Sequence, residues 1–392
     1  CLPGPDMTLR LLINASNLRV GGVVQVGISA IDEISRLGPE GMEISVLACE
    51  GVDRNLSQIG CDTGAFARYR VRSVPGLSPF DPVLDEEIAR ADAVFTIFGP
   101  LYARRRPKVS VMGFAQPWII YPKNDIYRGL SPIAKAKSRL KYGVQAAILR
   151  RNADHAIVEA GHVKEGLVAR GLFRTGQVSV VSNCVSDIFR QPELWRPVAL
   201  PVALRERKGW RIGFLGRDYP HKNLSILPDV ARVLRERHGI VVDFLVTLTE
   251  AEWQARSPEF RSAVTNVGPL DLAQCPSFYA GLDAAIFPSL LECFSVMPLE
   301  AMAMGLRVFA SDRPFVRDIC GPFARYFDPH APEEAAACIA EGLATPPSEE
   351  EREMIRAQGF AGMSPRERAE SYLEIIRRVV VEKNGPVRPC LL

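Results

Sequence analysis

A chain of 392 residues is long enough for two domains of roughly 150–200 residues each. Its 47% apolar and 24% charged content are those of an ordinary globular protein, and a net charge of +3 is too small for wholesale nucleic-acid binding, so no nucleic-acid partner is expected. The nine cysteines never form CxxC, the five histidines never form HExxH and no apolar run reaches the ~18 residues of a membrane span, which points away from a disulfide framework, a zinc site or a transmembrane helix and towards a reducing cytoplasm.

The leading CLPGPD precedes Met7 and is set aside, and no signal-peptide pattern is read. The run LRLLINAS (Leu9–Ser16) reads as a buried strand, and the glycine-containing loop and amphipathic pattern NLRVGGVVQVGISAIDEISRLG as a turn and helix. EISVLAC, DAVFTIFG, KVSVMGF, DHAIVEA and QVSVVSN are further short apolar runs closed by turn formers, with helical patterns between several of them. That alternation predicts a parallel sheet covered on both faces. Three prolines and a charged tail in 190–210 then read as a linker. The rhythm restarts with the strand WRIGFLG, the helix NLSILPDVARVLRERHG and the strand VVDFLVTL. It continues with the short helix CPSFYAGL, the strand DAAIFPS, the helix PLEAMAMG, the strand LRVFAS and the helix PEEAAACIAEGLA. The expected architecture is α/β, with two Rossmann-like doubly wound domains: residues 7–190, a linker at 191–210, and 211–363. A final amphipathic helix over 364–385 is expected to pack back on the first domain. Ligands of open α/β sheets bind beyond the carboxyl ends of the strands, so a cleft between two such domains is where chemistry is expected.

Two stretches carry candidate chemistry. In PSLLECFSVMPLEAMAMG (Pro288–Gly305), Glu292 and Glu300 follow the strand DAAIFPS, and Pro298 suits the first turn of a helix. A helix start bordered by a loop with free amides attracts anions, although on spacing alone Glu300 could equally serve the helix dipole and Glu292 be solvated. In GFLGRDYPHKNL (Gly213–Leu224), Arg217 and Lys222 follow a strand that ends at Gly216. A planar guanidinium fork and a point charge at a strand mouth suit a diphosphate, and a solvated charged loop is the plainer alternative.

Together GRDYPHKN and the Glu-x7-Glu stretch resemble the donor-site signatures of the retaining glycosyltransferases of family 4. NVGPL (Asn266–Leu270), GLDAAIFPS, RVFASD (Arg307–Asp312), SNCVSDIF (Ser182–Phe189) and NASNLRVGGVVQV support the resemblance, which is nearly continuous in the C-terminal half and limited to short motifs in the N-terminal half. It implies the GT-B fold, two Rossmann-like domains facing a cleft. It also implies a UDP- or GDP-linked nucleotide sugar as substrate, with no metal and no resident cofactor. By the same resemblance Arg217 and Lys222 neutralise the leaving diphosphate, Glu292 contacts the transferred sugar and Glu300 bonds the ribose. Backbone amides around Phe294, Ser295 and Val296 meet the phosphates, and Gly21 and Gly22 let the first loop approach the donor. Sugar transfer passes through an oxocarbenium-like state while negative charge grows on the leaving phosphate, so preorganised cations are what the step needs. Front-face attack and double displacement stay open. Many relatives carry a histidine near the donor sugar, but no histidine occurs before His155; Gln116 or the Gly113–Ala115 backbone, in VSVMGFAQPWIIYP, would replace it, and Gln116 is a candidate acceptor contact. His155 and His162 read as structural, and His221 sits beside Lys222.

The stretch Tyr121–Arg151 holds Lys123, Arg128, Lys135, Lys137, Arg139, Lys141, Arg150 and Arg151 against Asp125 alone. Ile133, Ala136, Leu140, Val144 and Ala147 recur at helical spacing, so a basic amphipathic helix is expected, either lying on an anionic membrane or burying that stripe beneath a solvated face. The expected activity is metal-independent retaining transfer of a hexosyl group from a nucleotide sugar to a glycan, often lipid-linked in this family. Lipopolysaccharide O-antigen, capsule and exopolysaccharide are the polysaccharides it would build. The rivals are an epimerase or hydrolase of the same fold and a non-catalytic regulatory subunit.

Overall fold

The computed structural model describes residues 8–19, 21–74, 76, 81–199 and 209–384. The chain divides into two compact units. One holds the residues up to 122, 131–183 and those from 365 onward; the other holds 123–130 and 184–364. Of the stretch read as a linker, residues 200–208 lie outside the described residues.

The first unit is built on seven strands: β1 (Leu9–Ala15), β2 (Met42–Ala48), β3 (Arg68–Val71), β4 (Ala93–Thr96), β5 (Val109–Phe114), β6 (His155–Val158) and β7 (Val178–Val180). Their order is β3-β2-β1-β4-β5-β6-β7, and every neighbouring pair is parallel. Strands β4, β5 and β6 are buried along their whole length, because helices cover both faces of a parallel sheet. The helix Gly22–Leu37 follows β1. It buries Val24, Val26, Ile28, Ile31 and Ile34 and stops at Gly38, whose φ of 50° and ψ of 56° are the left-handed cap that glycine adopts without cost. The helix Pro365–Asn384 closes this unit by setting Tyr372 against Phe95, ring centroids 5.1 Å apart, and by burying Leu373, Ile376 and Val379. Each such side chain contributes roughly 1.5–3 kcal/mol when fully buried. Arg368 of the same helix is 2% exposed and donates to Asn183 Oδ1 at 2.6 Å and Ser29 Oγ at 2.7 Å.

The second unit holds β8 (Trp210–Phe214), β9 (Val242–Val246), β10 (Val264–Asn266), β11 (Ala284–Phe287), β12 (Arg307–Ser311) and β13 (Ala324–Phe327). Their order is β10-β9-β8-β11-β12-β13, again all parallel. The order reverses between β8 and β11, which opens a crevice at the carboxyl ends of those two strands. The core beneath it gathers Phe214, Phe244, Phe287, Phe309 and Tyr279.

The basic stretch differs from the single helix expected over 121–151. Residues 125–129 form a 3-10 turn in the second unit, where Asp125 accepts from Arg313 at 2.9 Å and lies 3.1 Å from His330 Nε2. The helix proper is Pro132–Asn152, in the first unit, started by Ser131, whose hydroxyl accepts from the Ala134 amide. The stripe of Ile133, Ala136, Leu140, Val144 and Ala147 faces outward instead of inward, with Ile133 74% and Leu140 70% exposed. The alternative of a buried stripe is thereby corrected: Tyr142, Gln145 and Leu149 face inward, and Gln145 bonds the Tyr102 hydroxyl at 3.1 Å. No helix among the described residues is long and apolar enough to cross a membrane. The seven described cysteines are all free.

Candidate active site

In the second unit two loops leave the carboxyl ends of β8 and β11 and are tied together. The amide of Leu290 donates to the carbonyl of His221 at 2.7 Å. Asn223, at φ 55° and ψ 32°, takes the left-handed turn that asparagine tolerates, and its side-chain amide holds the carbonyl of Pro329 at 2.8 Å. Beneath the second loop, the buried Ser311 hydroxyl donates to the Ser289 carbonyl at 2.6 Å.

This frame brings Lys222 to Glu292. Lys222 Nζ donates to Glu292 Oε1 at 2.6 Å, and the two side chains are only 14% and 10% exposed. The ammonium also lies 5.4 Å from the centre of the Phe287 ring. His221 Nε2 is 3.9 Å from the same carboxylate oxygen. Burial pushes the His221 imidazole down, Lys222 adds to this and Glu292 opposes it, so the ring is neutral near pH 7. His221 stacks on Tyr219, ring centroids 5.5 Å apart.

Arg217 does not join that pair. Its Nε donates to Glu252 Oε1 at 2.7 Å. Glu252 also accepts from the Asp218 amide at 3.2 Å and, through Oε2, from the Thr249 amide and hydroxyl at 2.9 and 2.8 Å. Burial would raise the Glu252 carboxyl, but these donors together outweigh it and hold it at about 2. Spacing does not reveal this partner, although the TLTE sequence (Thr247–Glu250) continuing to Glu252 carries the T-x-x-E of a capping box.

Phe294, Ser295 and Val296 lead from β11 into the helix Met297–Ala303, and their amides donate to no other described residue. Glu300 lies inside that helix and is buried; it accepts from the Tyr279 hydroxyl at 3.0 Å. Burial pushes its carboxyl up to about 7, against the lowering effect of that hydrogen bond. Glu292 is buried as well, at 8% exposed, so it is not the solvated group that spacing allowed.

Gly21, Gly22 and Gln116 lie in the first unit, at the carboxyl ends of its strands. Gly21 precedes the helix Gly22–Leu37 with φ 75°, a conformation that favours glycine. A Cβ on Gly22 would meet no atom within 4 Å. Gln116 follows β5 and caps the short helix Pro117–Ile120 without a side-chain bond. Buried His155 bonds Ser179 Oγ at 2.9 Å, and burial, with Arg378 and Lys164 nearby, pushes its imidazole down to about 4. Among the described residues no group of three His, Cys, Asp or Glu side chains converges as metal ligands would.

Two cations on the first loop and free amides on the second, at the switch point of a doubly wound sheet, can hold a diphosphate while Glu292 and Glu300 meet hydroxyl groups. Comparison with known proteins bears on this geometry. The model of the family described as Glycosyl transferases group 1 matches residues 201–360, which span both loops. The O-antigen chain mannosyltransferase RfbU of Salmonella typhimurium is 21% identical over 186 residues, 46% of this chain and 48% of that protein, so the chain spans about half the length of the curated relative it matches. Among solved structures, a glycosyltransferase from Rickettsia africae superposes with a TM-score of 0.66 at 15% identity, covering 95% of this chain and 99% of that one. Anabaena Alr3699/HepE, solved in complex with UDP-glucose, superposes with a TM-score of 0.65 at 16% identity, covering 94% and 100%. The chain therefore has the two-sheet α/β architecture of the GT-B glycosyltransferases, and the unit that carries Arg217, Lys222, Glu292 and Glu300 is the one that matches the group 1 glycosyltransferase model.

Proposed function

We propose that this chain is a retaining, metal-independent glycosyltransferase that moves a hexosyl group from a UDP- or GDP-linked donor to a glycan acceptor on a lipid carrier. The observation that carries the reading is the Lys222–Glu292 contact of 2.6 Å beside the free amides of Phe294–Val296. In this contact each charge compensates the other. When a donor binds, the diphosphate takes Lys222 and a sugar hydroxyl takes Glu292, so both charges keep a partner. Arg217 adds a fork for the phosphate oxygens. As the bond from the anomeric carbon to the diphosphate oxygen breaks, negative charge grows on that oxygen, where Arg217, Lys222 and the amides stabilise it. The acceptor oxygen forms the new bond to the anomeric carbon, and its proton leaves to the departing diphosphate oxygen or to water. Glu300, already bonded to Tyr279, accepts from the ribose hydroxyls. Gly21 and Gly22 offer a donor a backbone without side chains, and Gln116 is a candidate acceptor contact.

The relative's name, an O-antigen chain mannosyltransferase, supports a place in surface polysaccharide assembly, and the UDP-glucose of the Anabaena structure supports a nucleotide-sugar donor. The outward apolar stripe of Pro132–Asn152, flanked by exposed Lys137, Lys141, Arg150 and Arg151, supports docking on an anionic bilayer, where a lipid-linked acceptor resides.

The test is a thermal-shift screen of UDP-, GDP- and other nucleotide sugars, followed by NMR assignment of the anomeric configuration of the product. One base should stabilise the protein by RT ln(1 + [L]/Kd), and the product should keep the donor's anomeric configuration. No stabilisation by any nucleotide at millimolar concentration would end the reading, and an inverted product would end the retaining part of it.

A further inference from the structure

Arg217 reaches the site from an irregular loop, between the end of β8 at Phe214 and a 3-10 turn that begins at Pro220. Its side chain is 41% exposed, and a free arginine there would carry large rotamer entropy. Glu252 removes that freedom. One of its oxygens holds Arg217 Nε and the Asp218 amide, and the other is held by the amide and hydroxyl of Thr249. The carboxylate is thus anchored to its own helix and cannot follow a wandering guanidinium. Because the grip is on Nε, Nη1 and Nη2 of Arg217 bond no other described residue. Four residues after Glu252, Arg256 grips the next loop residue with the opposite charge pattern. Its Nε donates to Asp218 Oδ2 at 2.6 Å and its Nη2 bonds Oδ1. The Arg256 guanidinium is itself steadied over the Phe260 ring, 4.5 Å from its centre. Two adjacent loop residues of opposite sign are therefore each held by an oppositely charged partner, and those partners lie four residues apart, Glu252 in the helix Glu250–Gln254 and Arg256 just beyond its end.

We propose that Glu252 is a positioning residue for Arg217, with Arg256 and Asp218 as the second arm of the clamp, and that together they present the Nη1/Nη2 fork of Arg217 to the diphosphate of the donor. This rests on the donor reading given above. A planar fork binds phosphate oxygens two at a time only when its orientation is fixed, and about 1 Å of misplacement can cost roughly 100-fold. The plainer role for Glu252 is to cap the helix Glu250–Gln254 through its box with Thr249. The two roles differ in one respect: a cap acts whether or not Arg217 is present, and a positioning residue acts only through it.

A double-mutant cycle separates them. UDP and GDP are titrated calorimetrically into wild type, Glu252→Gln, Arg217→Ala and the double variant, with melting temperatures measured in parallel. For whichever nucleoside diphosphate the wild type takes, Glu252→Gln should weaken binding by roughly 10- to 100-fold. Arg217→Ala should do the same, and the double variant should be no worse than Arg217→Ala. The loss of melting temperature from Glu252→Gln should be alike in both backgrounds, since capping does not need Arg217. Arg217→Lys keeps the charge but not the fork and should bind as weakly as Arg217→Ala. Glu252→Asp, which keeps the charge but withdraws it from Arg217, should reproduce the loss if the glutamine variant folds poorly. Wild-type affinity in either Glu252 variant, or losses that add in the cycle, would overturn the positioning role while the donor site stands. Wild-type affinity in Arg217→Ala, or no binding of either nucleotide to wild type, would instead remove the donor assignment and the proposal with it.

Discussion

Replacing Lys222 by methionine should cost the folded protein dearly even before any substrate is present. The ammonium lies 2.6 Å from Glu292 Oε1, and both side chains are nearly shielded from water. At that separation and an effective dielectric of about 20, the attraction is about 6 kcal/mol before desolvation is counted. Desolvation offsets much of it in the intact pair. Removing one partner leaves the other buried and uncompensated, which costs about 3 kcal/mol. For a unit of this size that corresponds to a fall in melting temperature of roughly 6–12 °C. Glu292→Gln should lose a similar amount, because it strands the Lys222 cation over Phe287. The double variant Lys222→Met with Glu292→Leu should recover most of the loss, since two apolar groups of similar size leave no orphaned charge. Urea titration of the wild type, the two single variants and the double measures the coupling, expected at about 2 kcal/mol or more. Adding a saturating nucleoside diphosphate should stabilise the wild type and leave the Lys222→Met variant almost unmoved. If Lys222→Met costs less than about 0.5 kcal/mol, or if the double variant loses the sum of the two single losses, the compensated-pair reasoning is wrong.

Burial raises the Glu300 carboxyl to about 7, so its contribution to stability is fully present below about pH 4.5 and is lost as pH rises through 7. The stability of wild type minus that of Glu300→Gln, measured by urea titration, should therefore fall by about 3 kcal/mol between pH 4.5 and well above 7; a flat difference would contradict it. On the proposed reading, in which Arg217, Lys222 and three amides stabilise the leaving group, turnover should survive EDTA; activity abolished by EDTA and restored by Mg²⁺ or Mn²⁺ would show otherwise. Changing Lys137, Lys141 and Arg150 to Gln should reduce partition onto anionic vesicles by roughly 100-fold at low salt, at about 1 kcal/mol per cation. The difference should shrink as salt is added. Co-sedimentation reads this out, and a wild type that stays in the supernatant at low salt would refute the docking surface.

Strands buried on both faces were legible as unbroken apolar runs, because a central strand of a parallel sheet meets no water on either side. VSVMGF and AAIF are such runs, and they are β5 and β11. Strands β3 (RYRV), β10 (VTN) and β13 (ARYF) went unmarked: each sits at a sheet edge, partly exposed, where polar residues are tolerated and no run forms. The same division holds at the site. Arg217, Lys222, Glu292 and Glu300 were picked out by their places after strands and before helices, which local pattern carries. Their partners were not, because Lys222 meets Glu292 across 70 residues and Arg217 meets Glu252 across 35, and no periodicity encodes which loops a sheet brings side by side. The helix Pro132–Asn152 shows the limit most plainly. Its apolar spacing was visible, but whether Ile133 and Leu140 turn to the core or to water depends on what packs against the other face, and Tyr142, Gln145 and Leu149 hold that place.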